Sequence, residues 1–486
     1  MNAGRKSLVC LSSIHLDDPV IDTYRAKAKV TLHTSTNKKS SFLLEYKYQH
    51  PLSSSDLPLL RLACIMSLLN YGLFTQQFLF DFPLFQADIS LVNHLNQVFS
   101  RDIFVNKIMR RKTNYILPEY LPKVETITAK DAEPTTVLQP QKVLPNTALS
   151  KEMDPSSCGV LSSGGKESLL TYGLLKEIGC KVYPYYINES GGHWRTALSA
   201  YRYHSQTDPN TQRIWTNVDR FYVFMLDNLP FIRSDHRKIW ADTYPLRLCI
   251  FPVYIFILLP LFVKHHIGNI LLGSEFDDLR FEPEHHGVNH YYGIYDQHQD
   301  YDDIMNQWYE QRIPGLVQWS AVRSISGLIV ERILVNRYPH LASHQRSCHS
   351  CHFEGTNIVP CGTCSKCMGV LLFLLANNLD PRIMNFKEND IKLFHKRVTA
   401  DNLRLDHDEQ QQSFHLISKL GNKTSIKPIT HVEQIHIHPK TCDPTKIPHH
   451  IRVPLYNILE QYTTGQCVLH DDQWVTNQIP LSRSSG

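Results

Sequence analysis

The sequence lacks a hydrophobic run long enough to cross a bilayer. Its longest, LCIFPVYIFILLPLFV from Leu248 to Val263, is broken by Pro252 and Pro260 and falls short of the roughly 20 residues a spanning helix needs. A helix buried inside an α/β domain is expected there instead. An excess of either charge is also missing. Fifty basic residues face 46 acidic ones, a net +4, so no overall field marks a nucleic-acid binder, although a local basic groove stays compatible with it. The N-terminal MNAGRKSLVCLSS has no apolar stretch of leader length before His15 and Asp17 interrupt it, so no secretory signal is expected. A scattered disulfide framework is not the expected use of the cysteines either: five of the twelve lie between Cys348 and Cys367, the clustering of a metal site in a reducing cytoplasm. What is present is ordinary for a folded globular chain, with 42% hydrophobic and 20% charged residues, and 486 residues imply two or three domains.

The stretch Cys158–Gly173, CGVLSSGGKESLLTYG, organises the reading. Cys158 to Ser162 reads as a short buried strand, SGGKES as a glycine turn, and Leu169 onward as a helix. Such a turn exposes successive N–H groups at a helix N-terminus, a cradle for anions. Gly164 and Gly165 allow the turn, while Ser163, Lys166 and Ser168 offer hydroxyls and a cation to phosphate oxygens. Glu167 lies within the same loop. The Walker A pattern G-x-x-x-x-G-K-[ST] is absent, so this lysine belongs to another kind of phosphate loop.

The rest of the chain falls into four segments. Residues 1–117 alternate in strand fashion to Tyr48, with a polar hairpin loop at Ser35–Lys39, and then show helical patterns over Leu57–Tyr71 and Ser90–Phe99. This predicts a small α+β domain without recognisable chemistry. Residues 118–157 carry six prolines and no sustained periodicity, which predicts a surface linker. Residues 158–395 read as a parallel-sheet α/β domain: the loop strand, a helix to Glu177 stopped by Gly179, the strand KVYPYYIN ending at Asn188, and the strand GNILLGSEF.

Ligands of parallel sheets sit at the strands' carboxyl ends. Asn188, Glu189 and the Gly191–Gly192–His193 turn are therefore either adenine or ribose contacts or a plain strand-end loop. By the same rule Ser274, Glu275, Asp277 and Asp278 face the crevice, where the carboxylates suit Mg²⁺ or a base. His285, His286, His290 and His298 lie in a polar, aromatic loop, on the substrate side or simply solvated, without the H-E-x-x-H spacing of a zinc helix. Trp319–Tyr338 is expected to be an amphipathic helix with Arg323 near its start, either a surface charge or a contact to an anionic substrate. Residues 396–486 are His-rich and loop-like, with a short helical tail over 447–462, and are expected to form a structural cap.

Residues 346–367, RSCHSCHFEGTNIVPCGTCSKC, hold C-x2-C-x2-C at Cys361, Cys364 and Cys367, and either Cys348 or Cys351 can complete a tetrahedron. Four thiolates and no open position make a structural Zn²⁺ site. A redox pair or an iron–sulfur cluster are the competing readings.

The loop resembles the SGGxDS loop of the N-type ATP pyrophosphatases, the PP-loop superfamily with the adenine nucleotide α-hydrolase-like fold, with Glu167 where the family usually has Asp. Together, the loop and the C…CGxCxxC knuckle over residues 158–375 look like the 7-cyano-7-deazaguanine synthases. A wider likeness is to the ATP-dependent epimerases that invert the terminal L-Glu of UDP-MurNAc-L-Ala-L-Glu. It rests on the N-terminal α+β domain, SGGKESL, a serine at a strand end, VRSIS at Val322–Ser326, SC at Ser347–Cys348 and the CGTCSKC of Cys361–Cys367. GSEFDDLRFE departs from that family's serine- and asparagine-rich segment.

This resemblance implies ATP and Mg²⁺ as cofactors, Cys348 as the fourth zinc ligand, and Ser163–Ser168 with Asn188 and Ser274 at the nucleotide. It also implies Lys166, Glu275, Asp277 and Asp278 at the chemistry, on a small-molecule carboxylate converted to an acyl-adenylate. Glu275, Asp277, Asp278, His290 and His298 are the candidate bases. A tRNA-modifying AMP transferase and a zinc-bound scaffold without turnover are the rival readings.

Overall fold

The computed structural model describes residues 7–110, 115–239, 244–278, 280, 284–291, 294–348, 350–398, 403–420 and 426–477. The calls on Lys6, on part of GSEFDDLRFE and on Tyr292–Gly293 fall outside them. The chain divides into two compact units that interleave in sequence: Met1–Met153 with Ile214–His266 and Leu279–Leu316, and Asp154–Arg213 with Ile267–Asp278 and Val317–Gly486. Sequential segments were expected. The difference arises because 214–266 and 279–316, expected from sequence in the same domain as the glycine loop, pack with the N-terminal residues, whereas 396–486 packs with the residues of the second unit.

In the first unit, Arg25–Thr34 pairs antiparallel with both Leu11–Leu16 and Lys39–Lys47, and the expected hairpin loop lies between the last two partners of that meander. Gln77–Phe80 adds in parallel, and Val137–Pro140 pairs parallel with it. The proline-rich segment is thus not a bare linker: one strand of it is held by ladder hydrogen bonds. Leu57–Met66, Gln86–Ile103 and the apolar Phe251–Lys264 are helices, the last almost wholly buried despite Pro260. Its burial in the first unit accounts for the apolar run, and no helix among the described residues is long and apolar enough to cross a membrane.

The second unit is built on a parallel sheet in the order Val317–Trp319, Ile267–Leu271, Asp154–Leu161, Lys181–Asn188. Its strands are buried on both faces, as a sheet covered by helices requires. The loop strand Asp154–Leu161 begins four residues before the Cys158 start read from sequence. The helix Lys166–Ile178 follows and ends where Gly179 takes a left-handed φ of 94°. Leu169, Leu170, Leu174 and Leu175 of that helix pack with Ile329, Ile333 and Leu334 of Gly327–Arg337 and with Leu371 and Leu374 of Ser365–Ala376 in one core.

Two expectations fail here. Trp319–Ser326 is not helical: Trp319 ends a strand, its indole N–H donating to Asn269 Oδ1 at 3.0 Å, and the helix starts only at Gly327. The C-terminal region is not loop-like either. It holds the helices His407–Leu420 and His449–Leu459 and a small sheet of Ile435–Ile437, Gln466–His470 and Gln473–Asn477. Arg332 pins it in place, reaching Asn377 Oδ1 at 2.7 Å, the Tyr462 carbonyl at 3.0 Å and Glu433 Oε2 at 2.6 Å.

Candidate functional site

Within the second unit, the chain runs from the loop strand to Lys181–Asn188 on one side, while Ile267–Leu271 lies on the other. Strand order therefore reverses between Asp154–Leu161 and Ile267–Leu271, the point where open α/β sheets form a ligand crevice. The two segments leaving these strands at their carboxyl ends are Ser162–Gly165 and Leu272–Asp278, the two stretches singled out from sequence.

The loop is tightly held. Gly164 has φ 76°, and a Cβ there would sit 3.0 Å from the Thr196 carbonyl oxygen, so both its conformation and its space call for glycine. Its own carbonyl accepts from Arg346 N–H at 2.9 Å, which ties the loop to the segment entering the cysteine cluster. Ser163 is exposed, whereas the Ser168 hydroxyl turns back to the Gly165 carbonyl at 3.2 Å and so caps the loop.

Lys166 is only 7% exposed. Its ammonium is held by Glu167 and, at 2.6 Å, by Glu275 Oε2. Burial alone would lower its pKa, but the two carboxylates outweigh it and hold the lysine above its ordinary value. In this conformation, then, the cation expected to face phosphate is engaged by carboxylates, one of them its neighbour in the loop, Glu167.

Glu275 is part of a larger acidic group. A Cβ on Gly327 would lie 2.8 Å from Glu275 Oε2 and 3.1 Å from Glu409 Oε1, so both carboxylates crowd the first residue of Gly327–Arg337. Glu409 accepts from Leu328 N–H at 3.1 Å, a favourable place for negative charge at a helix N-terminus. Glu331, fully buried one turn further, accepts from Gln345 Nε2 at 3.1 Å through one oxygen, and its other oxygen has no hydrogen-bond partner. Burial pushes Glu275 and Glu331 up to about 7, Glu409 to about 8 and Asp277 to about 6. The Lys166 charge outweighs burial at Glu167 and keeps it below its ordinary value. Four glutamates thus surround one lysine, an excess of negative charge that a divalent cation or retained protons must offset.

Ser274 is 1% exposed; its carbonyl accepts from Ser320 Oγ at 2.7 Å, and its own hydroxyl has no partner. Arg323 is 8% exposed and acts on Asp277, so the surface-charge reading of Arg323 is wrong: its place after the Val317–Trp319 strand carries it inward. Asn188 Oδ1 accepts from Ser190 N–H at 2.9 Å, closing the turn that starts the helix Gly192–Thr207, which is the role of a strand-end turn residue. His290 and His298 are buried in the first unit and are not among the side chains gathered here.

The cysteine cluster resolves the open ligand. Cys348, Cys361, Cys364 and Cys367 present four sulfurs within 4.8 Å of one another, and Cys351 is not among them. The pairs Cys361–Cys367 and Cys348–Cys364 are each 3.8 Å apart, the edge of a tetrahedron with metal–sulfur bonds of about 2.3 Å. Backbone N–H groups of Ser350 and Cys361 point at the Cys348 sulfur at 3.3 Å, that of Cys364 at Cys361 and that of Cys367 at Cys364. Such donors stabilise thiolates, so the four residues fit a metal such as zinc.

Glu409, Glu331, Asp408 and His431 were missed from sequence. Asp408 and Glu409 lie in the polar run DHDEQ at 406–410, and nothing local shows that the helix His407–Leu420 folds back on Gly327–Arg337. No protein-family model matches the chain, and no curated protein resembles it at a significant level.

Proposed function

We propose that the chain is an ATP-dependent enzyme that activates a small-molecule carboxylate as its adenylate and releases pyrophosphate. The observation that carries the reading is the Ser163–Ser168 loop at the reversal point of a parallel sheet, opposite a strand end that offers Ser274, Glu275 and Asp277. A carboxylate is a poor electrophile; attack of its oxygen on the α-phosphorus expels pyrophosphate and leaves an acyl group without negative charge and with a good leaving group. The loop N–H groups and the Ser163 hydroxyl would face the phosphates. Glu275 and Asp277 are the residues suited to Mg²⁺, which would neutralise the departing pyrophosphate. Release of Lys166 from Glu275 to that Mg²⁺-bound phosphate would supply the cation the loop withholds at rest.

Downstream, the adenylate either meets an amine or loses its α-proton. Whichever of Glu275 and Asp277 Mg²⁺ leaves free has a pKa raised by burial and suits the second path as base, with a second group returning the proton to the opposite face. Epimerisation of a terminal glutamate in a peptidoglycan precursor is the form of this path that the motif resemblance suggests; that resemblance rests on motifs alone. Incubation with Mg²⁺-ATP and UDP-MurNAc-L-Ala-L-Glu, scored for the configuration of the recovered glutamate, tests it: D-glutamate supports epimerisation, while AMP release with glutamate still L retains the adenylation and discards the epimerase.

One observation favours a second reading, a zinc-bound scaffold without turnover. Lys166 is already satisfied by Glu167 and Glu275, and the acidic group repels phosphate unless cations enter with it. Failure of ATP to bind in the presence of Mg²⁺ would select that reading.

A further inference from the structure

The glycine loop lies against the segment that enters the cysteine cluster, where Arg346 N–H donates to the Gly164 carbonyl at 2.9 Å. A Cβ on Gly165 would have Ser163 Oγ at 3.3 Å and Ser347 Oγ at 3.7 Å. Hydroxyls from the loop and from the cysteine segment therefore border one point. Glu167 Oε2 lies 2.9 Å from the same point, and the charge of Lys366 reaches that carboxylate and helps to keep it ionised. Three stretches, 163–168, 346–347 and 365–367, thus meet at the mouth of the loop.

The loop's own lysine does not serve this mouth at rest. Lys166 is 7% exposed and held by Glu167 and Glu275, which must yield before it meets an anion. Lys366, by contrast, is exposed and forms no ion pair among the described residues. Its backbone is fixed, because it sits between Cys364 and Cys367 in the first turn of Ser365–Ala376, where the Cys364 sulfur accepts from Cys367 N–H. The helix Lys166–Ile178, facing it across the mouth, has no side-chain cap on its first N–H groups. Backbone donors on one side, with an ammonium and a hydroxyl on the other, complement a phosphate, which accepts through several oxygens at once.

We propose that the cysteine cluster supplies the second wall of the phosphate site, the Lys366 ammonium and the Ser347 hydroxyl binding the pyrophosphate end of the nucleotide opposite the glycine loop. This inference rests on the adenylation reading and adds two binding residues to it. The two lysines then divide the work: Lys366 binds the phosphates on entry, and Lys166 acts only once released from its carboxylates. The cysteines also acquire a role beyond stability. Ser347 precedes Cys348 and Lys366 precedes Cys367, so the residues that hold the metal also hold both phosphate contacts in place.

The test is calorimetric titration of Mg²⁺-pyrophosphate into the full, zinc-loaded chain. Lys366→Gln should bind at least about tenfold more weakly than wild type, and Ser347→Ala at least about threefold, each with unchanged zinc content. Lys387→Gln, which removes an exposed lysine paired with Glu354 on the neighbouring hairpin, should bind as wild type does. Should Lys366→Gln lose zinc or fail to fold, the wild type decides: saturating Mg²⁺-pyrophosphate should shield Lys366 from acetylation, read by peptide mass spectrometry. Wild-type affinity in a folded Lys366→Gln, equal acetylation of Lys366 with and without pyrophosphate, or an equal loss of affinity in Lys387→Gln would overturn the proposal while leaving the adenylation reading in place. A wild type that binds neither Mg²⁺-ATP nor Mg²⁺-pyrophosphate would overturn both.

Discussion

At the residue scale, the cysteines give the firmest expectation. The C-x2-C-x2-C spacing made Cys361, Cys364 and Cys367 legible in the sequence, because local backbone alone turns those sulfurs to one point. The fourth ligand was not legible from the residues, since Cys348 and Cys351 differ only in how the preceding loop folds; the motif resemblance pointed to Cys348, and the sulfur geometry agrees. Cys364→Ser is expected to lose the cysteine-bound zinc and most soluble protein, as structural zinc contributes on the order of 10 kcal/mol to small metal-folded units. Cys351→Ser should retain zinc at one equivalent in that site by elemental analysis. A zinc-free but well-folded Cys364→Ser protein would show that the metal is not structural.

Lys166 and Asp277 carry the next expectations at this scale. On the proposed ATP reading, removing the Lys166 ammonium should cost at least about 100-fold in rate, at about 1.4 kcal/mol per tenfold. Because Lys166→Ala also strands Glu167 and Glu275, its thermal midpoint must be measured beside its rate; pairing it with Glu275→Gln should restore stability without restoring turnover. Asp277→Asn should slow AMP formation by about 100-fold or more while changing stability by no more than about 1 kcal/mol, as suits a half-buried side chain at a strand end. Full turnover in either variant would return that residue to a structural role.

At the element scale, what the sequence revealed and what it hid separate cleanly. Strand, loop and helix from Asp154 to Ile178 were readable because periodicity, the glycine pair and the Gly179 stop all agree. Val322–Ser326 misled because its apolar spacing also suits a loop whose side chains all point inward, and Arg323 went with them. The acidic environment of the Gly327–Arg337 helix was invisible, since Glu275, Glu331 and Glu409 come from three distant stretches.

That environment has a pH signature. Glu275 and Glu331 at about 7 and Glu409 at about 8 bind protons more tightly folded than unfolded. Over the interval from the ordinary glutamate range up to those values the folded state therefore holds more protons, and unfolding free energy falls as pH rises. Their contribution is fully present below about pH 4.5 and is lost as pH climbs through 7 to 8. The thermal midpoint of Glu409→Gln, measured from pH 5 to 8.5, should fall less steeply than that of the wild type, and saturating Mg²⁺ should flatten the wild-type curve. An unchanged slope in Glu409→Gln would mean that Glu409 is ionised throughout.

At the scale of the whole molecule, the sequence conveyed the class of fold but not the path of the chain between its two units. Segments 214–266 and 279–316 return to the N-terminal unit through packing of residues such as Cys249 against Asn70, whose side chain binds the Cys249 backbone. No local pattern records that return. The account's central claim belongs to the second unit, where a glycine loop between strand and helix, a strand end with carboxylates and a four-cysteine cluster that fits a metal share one fold. The most direct test is the fate of α-labelled ATP incubated with the purified chain, Mg²⁺ and a panel of small carboxylates. The account predicts label in AMP, with pyrophosphate released in equal amount and only when a carboxylate substrate is present; label in ADP, or ATP left intact across the panel while zinc and fold are in place, would contradict it.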